Sequence, residues 1–194
     1  MGLNVAVFVL WHQVGVTDSG LRFMMDHFLI SGSNVTSGRF WTLLTSCFSH
    51  RDATHLLVNM LVLWVFGRDI LHIIGPGRLL RLYIIGGILA SLGHVAIGVL
   101  TLDATAALGA SGSVMAIAVV FAALFPRRTL LLNFFIPVPA ALAVAGYIAL
   151  DVFGAFQGGT GVAHGAHLGG AAYGAWFWWR VLRPALKKRP QHSH

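Results

Sequence analysis

The sequence predicts an all-α membrane protein, a single domain built as a bundle of six transmembrane helices, and three observations predict it. Hydrophobic residues make up 57% of the 194 and charged residues only 10%; the mean hydropathy of +0.77 is more than a soluble domain of this size conceals in one core. The apolar residues fall into six runs, roughly 3–16, 53–71, 80–100, 108–125, 134–153 and 163–182, punctuated by Gly, Pro and charge. Most approach the ~20 residues that a helix needs to cross ~30 Å of hydrocarbon. Basic residues gather at the ends of alternate runs, as they do in multi-pass proteins.

The first run is short and starts almost at Met1, but it lacks the charge and the small-residue cleavage site of a signal peptide and reads as a membrane helix. Residues 17–52 are too many for a simple connection. Phe23, Met24, Met25, Phe28, Leu29 and Ile30, set among polar residues, make this segment an outer interfacial loop, either amphipathic and partly embedded or packed on the bundle. Arg68, Arg78 and Arg81 follow run two, and Arg127 and Arg128 follow run four. Arg180, Arg183, Lys187, Lys188 and Arg189 follow run six, whereas Arg22, Arg39 and Arg51 lie in the opposite loop. This bias predicts cytoplasmic termini. With no transit peptide or retention signal in view, the expected setting is a bacterial inner membrane. The basic tail, 183–194, is expected to touch anionic lipid head groups. A pI near 10.8 does not point to nucleic acid, because the charges sit at span ends rather than along one face. The single Cys47 forms no internal disulfide, and without a zinc-type Cys/His spacing no metal or cofactor is expected.

The chemistry lies in the polar residues at membrane depth, where they are costly and mark function. Gly109-Ala110-Ser111-Gly112 heads run four. A helix starting at Ser111 reaches Pro126 after about fifteen residues, roughly 22 Å, so Ser111 lies several ångströms below the outer surface with non-helical backbone before it. Such backbone needs protein or a water-filled cavity around it. A serine at a helix start also has its own unpaired N–H beside it, able to bind a developing oxyanion. Close helix packing through Gly and Ser is the alternative use of the tetrapeptide. In run six, Ala163, His167, Gly170 and Gly174 share one stripe, which should face Gly112 and Ala116 of helix four. His164 lies about a turn higher and ~60° off that stripe. His167 pairs with Ser111 as imidazole to alcohol, the requirement of nucleophilic hydrolysis, with an interhelical hydrogen bond or a metal ligand as alternatives. His55 and Asn59, four apart in run two, share a face and can both donate to an oxyanion, or else bridge helices.

Taken together, His55-Leu56-Leu57-Val58-Asn59, Gly109-Ala110-Ser111-Gly112 and Ala166-His167-Leu168-Gly169-Gly170 with Gly174, in that order, resemble the rhomboid family of intramembrane serine proteases. The resemblance implies a dyad on helices four and six, with Ser111 as nucleophile and His167 as base, and an oxyanion site of His55, Asn59 and the Ser111 N–H. It implies no carboxylate; Asp103 and Asp151 lie near outer span ends, and nothing in the sequence assigns either to His167. Substrates are then single-pass membrane proteins with a helix-weakened segment, a small residue suiting the space beside Gly109 and Ala110. Span five is the expected lateral gate, with Phe153 and Phe156 as a possible plug. Phe40-Trp41-Thr42, Thr45, Phe48 and His50 also look like the family's first loop. Two departures are Thr42, where many members have arginine, Arg39 being nearest, and Met115, where several have a tyrosine on the catalytic imidazole. The rival readings are a transporter lined by His50, His55, His164 and His167, and a noncatalytic holder of membrane clients.

Overall fold

The computed structural model describes residues 1–102, 105–132, 135–157 and 161–187, so Asp103, Lys188 and Arg189 lie outside the described residues. Helix α1 spans Gly2–Val14, α2 Asp18–Phe28, α3 Gly32–Thr36, α4 Thr42–Thr45, α5 Ala53–Ile74, α6 Pro76–Thr101 and α7 Ser111–Leu124. After a hairpin of β1 (Thr129–Leu132) and β2 (Ile136–Pro139) come α8 (Ala140–Gly154) and α9 (His164–Phe177). A π-helical turn, Trp178–Leu182, carries α9 into α10 (Arg183–Lys187). Helices α5 and α6 are long and apolar enough to cross a membrane, while α1, α7 and α8 are shorter apolar helices.

Local chemistry sets the boundaries. Asp52 caps α5 by accepting from the His55 N–H at 2.8 Å, supplying a partner for a first-turn donor that has none in the helix. At the far end Gly75 takes φ 78°, where a side chain would be strained, and Pro76 starts α6 at the position that needs no N–H. Thr17 caps α2 through the Gly20 N–H. Helix α2 turns Met24 wholly inward against Val7 and Trp11 while Phe23 and Met25 stay exposed, an amphipathic pattern within the segment 17–52.

One expectation needs correction. The protein is mostly rather than entirely α, because 129–139 forms an antiparallel hairpin, with Leu130 opposite Val138 and Leu132 opposite Ile136. The fifth run was expected to be helical from 134, but Pro137 and Pro139 have no N–H to give a helix interior. Helix α8 therefore starts at Ala140, immediately after the second proline.

Helix α7 is the centre of the packing, with Ile117 and Val120 fully buried and Phe121 nearly so. Glycines set its distance from its neighbours. A Cβ on Gly170 would lie 2.0 Å from the Gly112 carbonyl oxygen, and one on Gly174 2.5 Å from that of Ala116, so α7 and α9 run parallel at backbone contact. Gly86 and Gly87 of α6 meet Ala116 and Ser113 in turn, which makes α6 antiparallel to α7. Helix α5 parallels α7: His55 meets Gly109 at one end, and Arg128 pairs with Asp69 at 3.6 Å at the other.

Candidate active site

The turn before α7 is non-helical and fixed from several sides. Ile30 and Ala107 exchange backbone hydrogen bonds of 2.8 Å, and the Gly109 N–H donates to the Ser46 carbonyl at 3.0 Å. Gly109 has φ 137°, and a Cβ there would lie 2.7 Å from Cε1 of His55, so the imidazole rests on the glycine. The Ala110 N–H donates to Nε2 of His50 at 3.3 Å. That bond requires a neutral His50; burial first and the nearby His55 second push its pKa from 6.5 down to about 4. Helix α7 then begins at Ser111, as the sequence predicts.

From this start Ser111 reaches α9: its Oγ lies 2.9 Å from Nε2 of His167. The stripe of Gly170 and Gly174 lets α9 approach closely enough for that contact. The other ring nitrogen faces a residue that the sequence reading left unassigned. Nδ1 of His167 is 2.9 Å from Oδ1 and 3.1 Å from Oδ2 of Asp151, a buried aspartate on α8. His164, expected to be rotated away, turns to the same carboxylate, with Nδ1 2.7 Å from Oδ1 of Asp151. The period of α9 alone does not include α8, which packs beside α9 and gathers both imidazoles. The clue was already present: an aspartate within an apolar run is as costly as a serine or histidine there, and the same rule marks it.

His55 and Asn59 line a cleft together with Ser111 and His167. Asn59 is buried; its Nδ2 donates to the His55 carbonyl at 2.9 Å and faces Nε2 of His50 at 3.3 Å. The cleft holds about 1000 Å³ and runs from Ser111 between Val58, Val62 and Phe66 of α5 and Val144 and Tyr147 of α8 to Leu130 of the hairpin. Its lining is mostly apolar, with Ser111, His167, His55 and Asn59 among its polar groups, the usual form of a binding site. Met115 lines it too, but the aromatic neighbour of His167 is Tyr147, with ring centroids 6.3 Å apart.

Other expected residues are used differently. Ala110, expected beside the substrate with Gly109, is fully buried, its amide taken by His50 and its side chain within the core. Gly109 serves as the seat of His55. Phe153 and Phe156, the expected plug, are exposed and are not among the residues that line the cleft. Arg39 ties down the segment between α1 and α5 through Asp26 at 3.3 Å and Asn34 at 3.5 Å. Cys47 is buried, which pushes its thiol up to about 12 and makes it a packing residue rather than a nucleophile. The histidines proposed to line a transport path form two pairs, His50 with His55 and His164 with His167 on Asp151. Among the described residues no cluster of three or more His, Cys, Asp or Glu side chains could hold a metal.

A sequence profile of the Rhomboid domain matches residues 37–184. The chain is 41% identical, over 93% of its length and 56% of the relative's, to RHOMBOID-like protein 12, mitochondrial, of Arabidopsis thaliana. It is 31% identical, over 96% of its length, to Presenilin-associated rhomboid-like protein A, mitochondrial, of Danio rerio, covering 50% of that protein. With Rhomboid protein 1, mitochondrial, of Saccharomyces cerevisiae it shares 33% identity over 97% of its length and 54% of the relative's. The chain thus spans about half the length of these relatives. Their names correct the expectation of a bacterial inner membrane with cytoplasmic termini, since all three are mitochondrial. Arginine bias orients helices across a bilayer, but it does not name the organelle that owns the bilayer. The membrane character of the chain, the order of its motifs and the profile across most of its length lead to one conclusion: the chain belongs to the rhomboid family.

Proposed function

We propose that the protein is an intramembrane serine endopeptidase that cuts a transmembrane segment of single-pass membrane proteins. The observation that carries this reading is the 2.9 Å contact between Ser111 Oγ and His167 Nε2 at the end of a large apolar cleft. On this reading α1, α5, α6, α7, α8 and α9 are six spans, and the cleft between α5 and α8 is the lateral entry. A substrate helix unwinds there, because a helical peptide bond is shielded from attack. His167 Nε2 takes the proton from Ser111 Oγ as the oxygen attacks the scissile carbonyl carbon. The oxyanion is met by the Ser111 N–H, the His55 ring and Asn59 Nδ2. Asn59 has a hydrogen to offer: one stays on the His55 carbonyl, while the longer contact to His50 can open, since His50 keeps the Ala110 N–H. The imidazolium then gives its proton to the leaving amine, and water admitted to the cleft hydrolyses the acyl-enzyme by the same steps in reverse. Asp151 holds the proton of His167 on Nδ1, leaving Nε2 free to accept. The relatives' names support a mitochondrial membrane as the setting.

The test is incubation of purified protein in micelles with a helix-destabilised transmembrane substrate, alongside a fluorophosphonate probe. Cleavage and labelling of the wild type, both lost in folded Ser111→Ala and His167→Ala, are expected. Cleavage that survives Ser111→Ala refutes the reading.

A further inference from the structure

Resting on that reading, we infer that His164 is a positioning residue for the proton-transferring pair, and that Gly154 is small in order to admit it. His164 and His167 are three apart on α9, Asp151 and Gly154 three apart on α8, so each helix presents one face to the other. Both Nδ1 atoms converge on Oδ1 of Asp151, at 2.7 Å from His164 and 2.9 Å from His167. A carboxylate held by one imidazole alone can still swing about its side-chain torsions. A second donor from the preceding turn of α9 fixes that rotation, and His167 then meets the carboxylate at 2.9 and 3.1 Å through both oxygens. The seat of the second imidazole is cut to fit. A Cβ on Gly154 would lie 2.4, 2.5 and 2.8 Å from Nε2, Cε1 and Cδ2 of His164, so the ring lies against a bare Cα and any side chain there displaces it. His164 is mostly enclosed, its side chain 14% exposed, and its contact with Asp151 is the shortest of the three on that carboxylate. The proton passes between Ser111 and His167 alone, 2.9 Å apart, and the second imidazole acts on that pair through Asp151.

The experiment compares kcat, KM and melting temperature for the full chain in micelles with the transmembrane substrate used above. His164→Leu should lower kcat by about 10- to 100-fold, the loss expected from one hydrogen bond to a charged group, and leave KM nearly unchanged. His164→Asn should recover most of that loss, because its amide donor sits where the imidazole Nδ1 does. Gly154→Ala should mimic His164→Leu, yet cost nothing further in a His164→Ala background, where the ring that it displaces is gone. Wild-type kcat in folded His164→Leu overturns the inference, as does an Asn variant no better than Leu, which makes the ring mere filling. Additive losses for Gly154→Ala and His164→Ala also overturn it. If His164→Leu does not fold, Gly154→Ala and His164→Asn decide alone. Failure of the wild type to cleave and to react with fluorophosphonate refutes instead the underlying assignment of Ser111 and His167.

Discussion

Asp151→Asn is the most informative single substitution, because it changes charge and donor pattern with almost no change of shape. The carboxylate now receives three contacts, from His164 to Oδ1 and from His167 to both oxygens. An asparagine has one acceptor oxygen. If that oxygen stays where Oδ1 is, it still accepts from His167 Nδ1 at 2.9 Å, but the acceptor is now neutral and the NH2 in the place of Oδ2 stands 3.1 Å from the same Nδ1, donor against donor. The imidazole relieves this by moving its proton to Nε2, and Nε2 can then no longer accept from Ser111. The tautomer that takes the serine proton loses a hydrogen bond to a charged partner, about 1.5–3 kcal/mol. At 1.36 kcal/mol per tenfold, kcat should fall by about 10- to 150-fold. KM should barely move, because Asp151 is buried behind His167. Steady-state cleavage of a transmembrane substrate in micelles gives both parameters, and thermal unfolding shows whether the variant is folded. A folded Asp151→Asn protein with kcat within about twofold of wild type refutes the reasoning: His167 would then hold its tautomer without the carboxylate.

Three further outcomes follow from the same contacts. Asn59→Ala should lower kcat by about tenfold to a thousandfold with little change in KM, as expected for one oxyanion donor; unchanged turnover with a lower melting temperature would make Asn59 only a bridge between His50 and the His55 carbonyl. His50 has a folded pKa of about 4 against 6.5 for a free imidazole, so between those values the unfolded chain binds a proton that the folded chain refuses. The stability from this site is complete above pH 6.5 and is lost as pH falls toward 4; a melting-temperature profile should be flatter across that window in His50→Gln than in wild type, and parallel profiles would refute it. Gly170→Ala puts a Cβ 2.0 Å from the Gly112 carbonyl oxygen, so α7 and α9 must part. The cost should be about 1–3 kcal/mol of stability with loss of cleavage, and a folded, fully active variant in unfolding and cleavage assays would contradict the close parallel packing.

How much was legible in the sequence depended on whether the signal was local. Membrane character follows from composition. The start of α7 at Ser111 follows from the glycines around it and from the proline beyond its far end, because helix boundaries are set within a few residues. The stripe of His167, Gly170 and Gly174 follows from helical period, and its partner on α7 follows from the small residues at Gly112 and Ala116. The hairpin at 129–139 was also local, written in Pro137 and Pro139, but the apolar run through them read as span. The meeting of α8 with α9 was not local. Asp151 is 16 residues from His167 and 40 from Ser111 in the chain, and a helical wheel drawn for α9 alone cannot say which neighbour offers a carboxylate. The roles of His50 under Ala110 and of Gly154 beneath His164 likewise depend on which backbone arrives from another element, 60 residues away in the first case. Residue type and period determine what each helix can present; only the packing of α8 against α9, and of the segment between α1 and α5 against the turn before Ser111, decides what it meets.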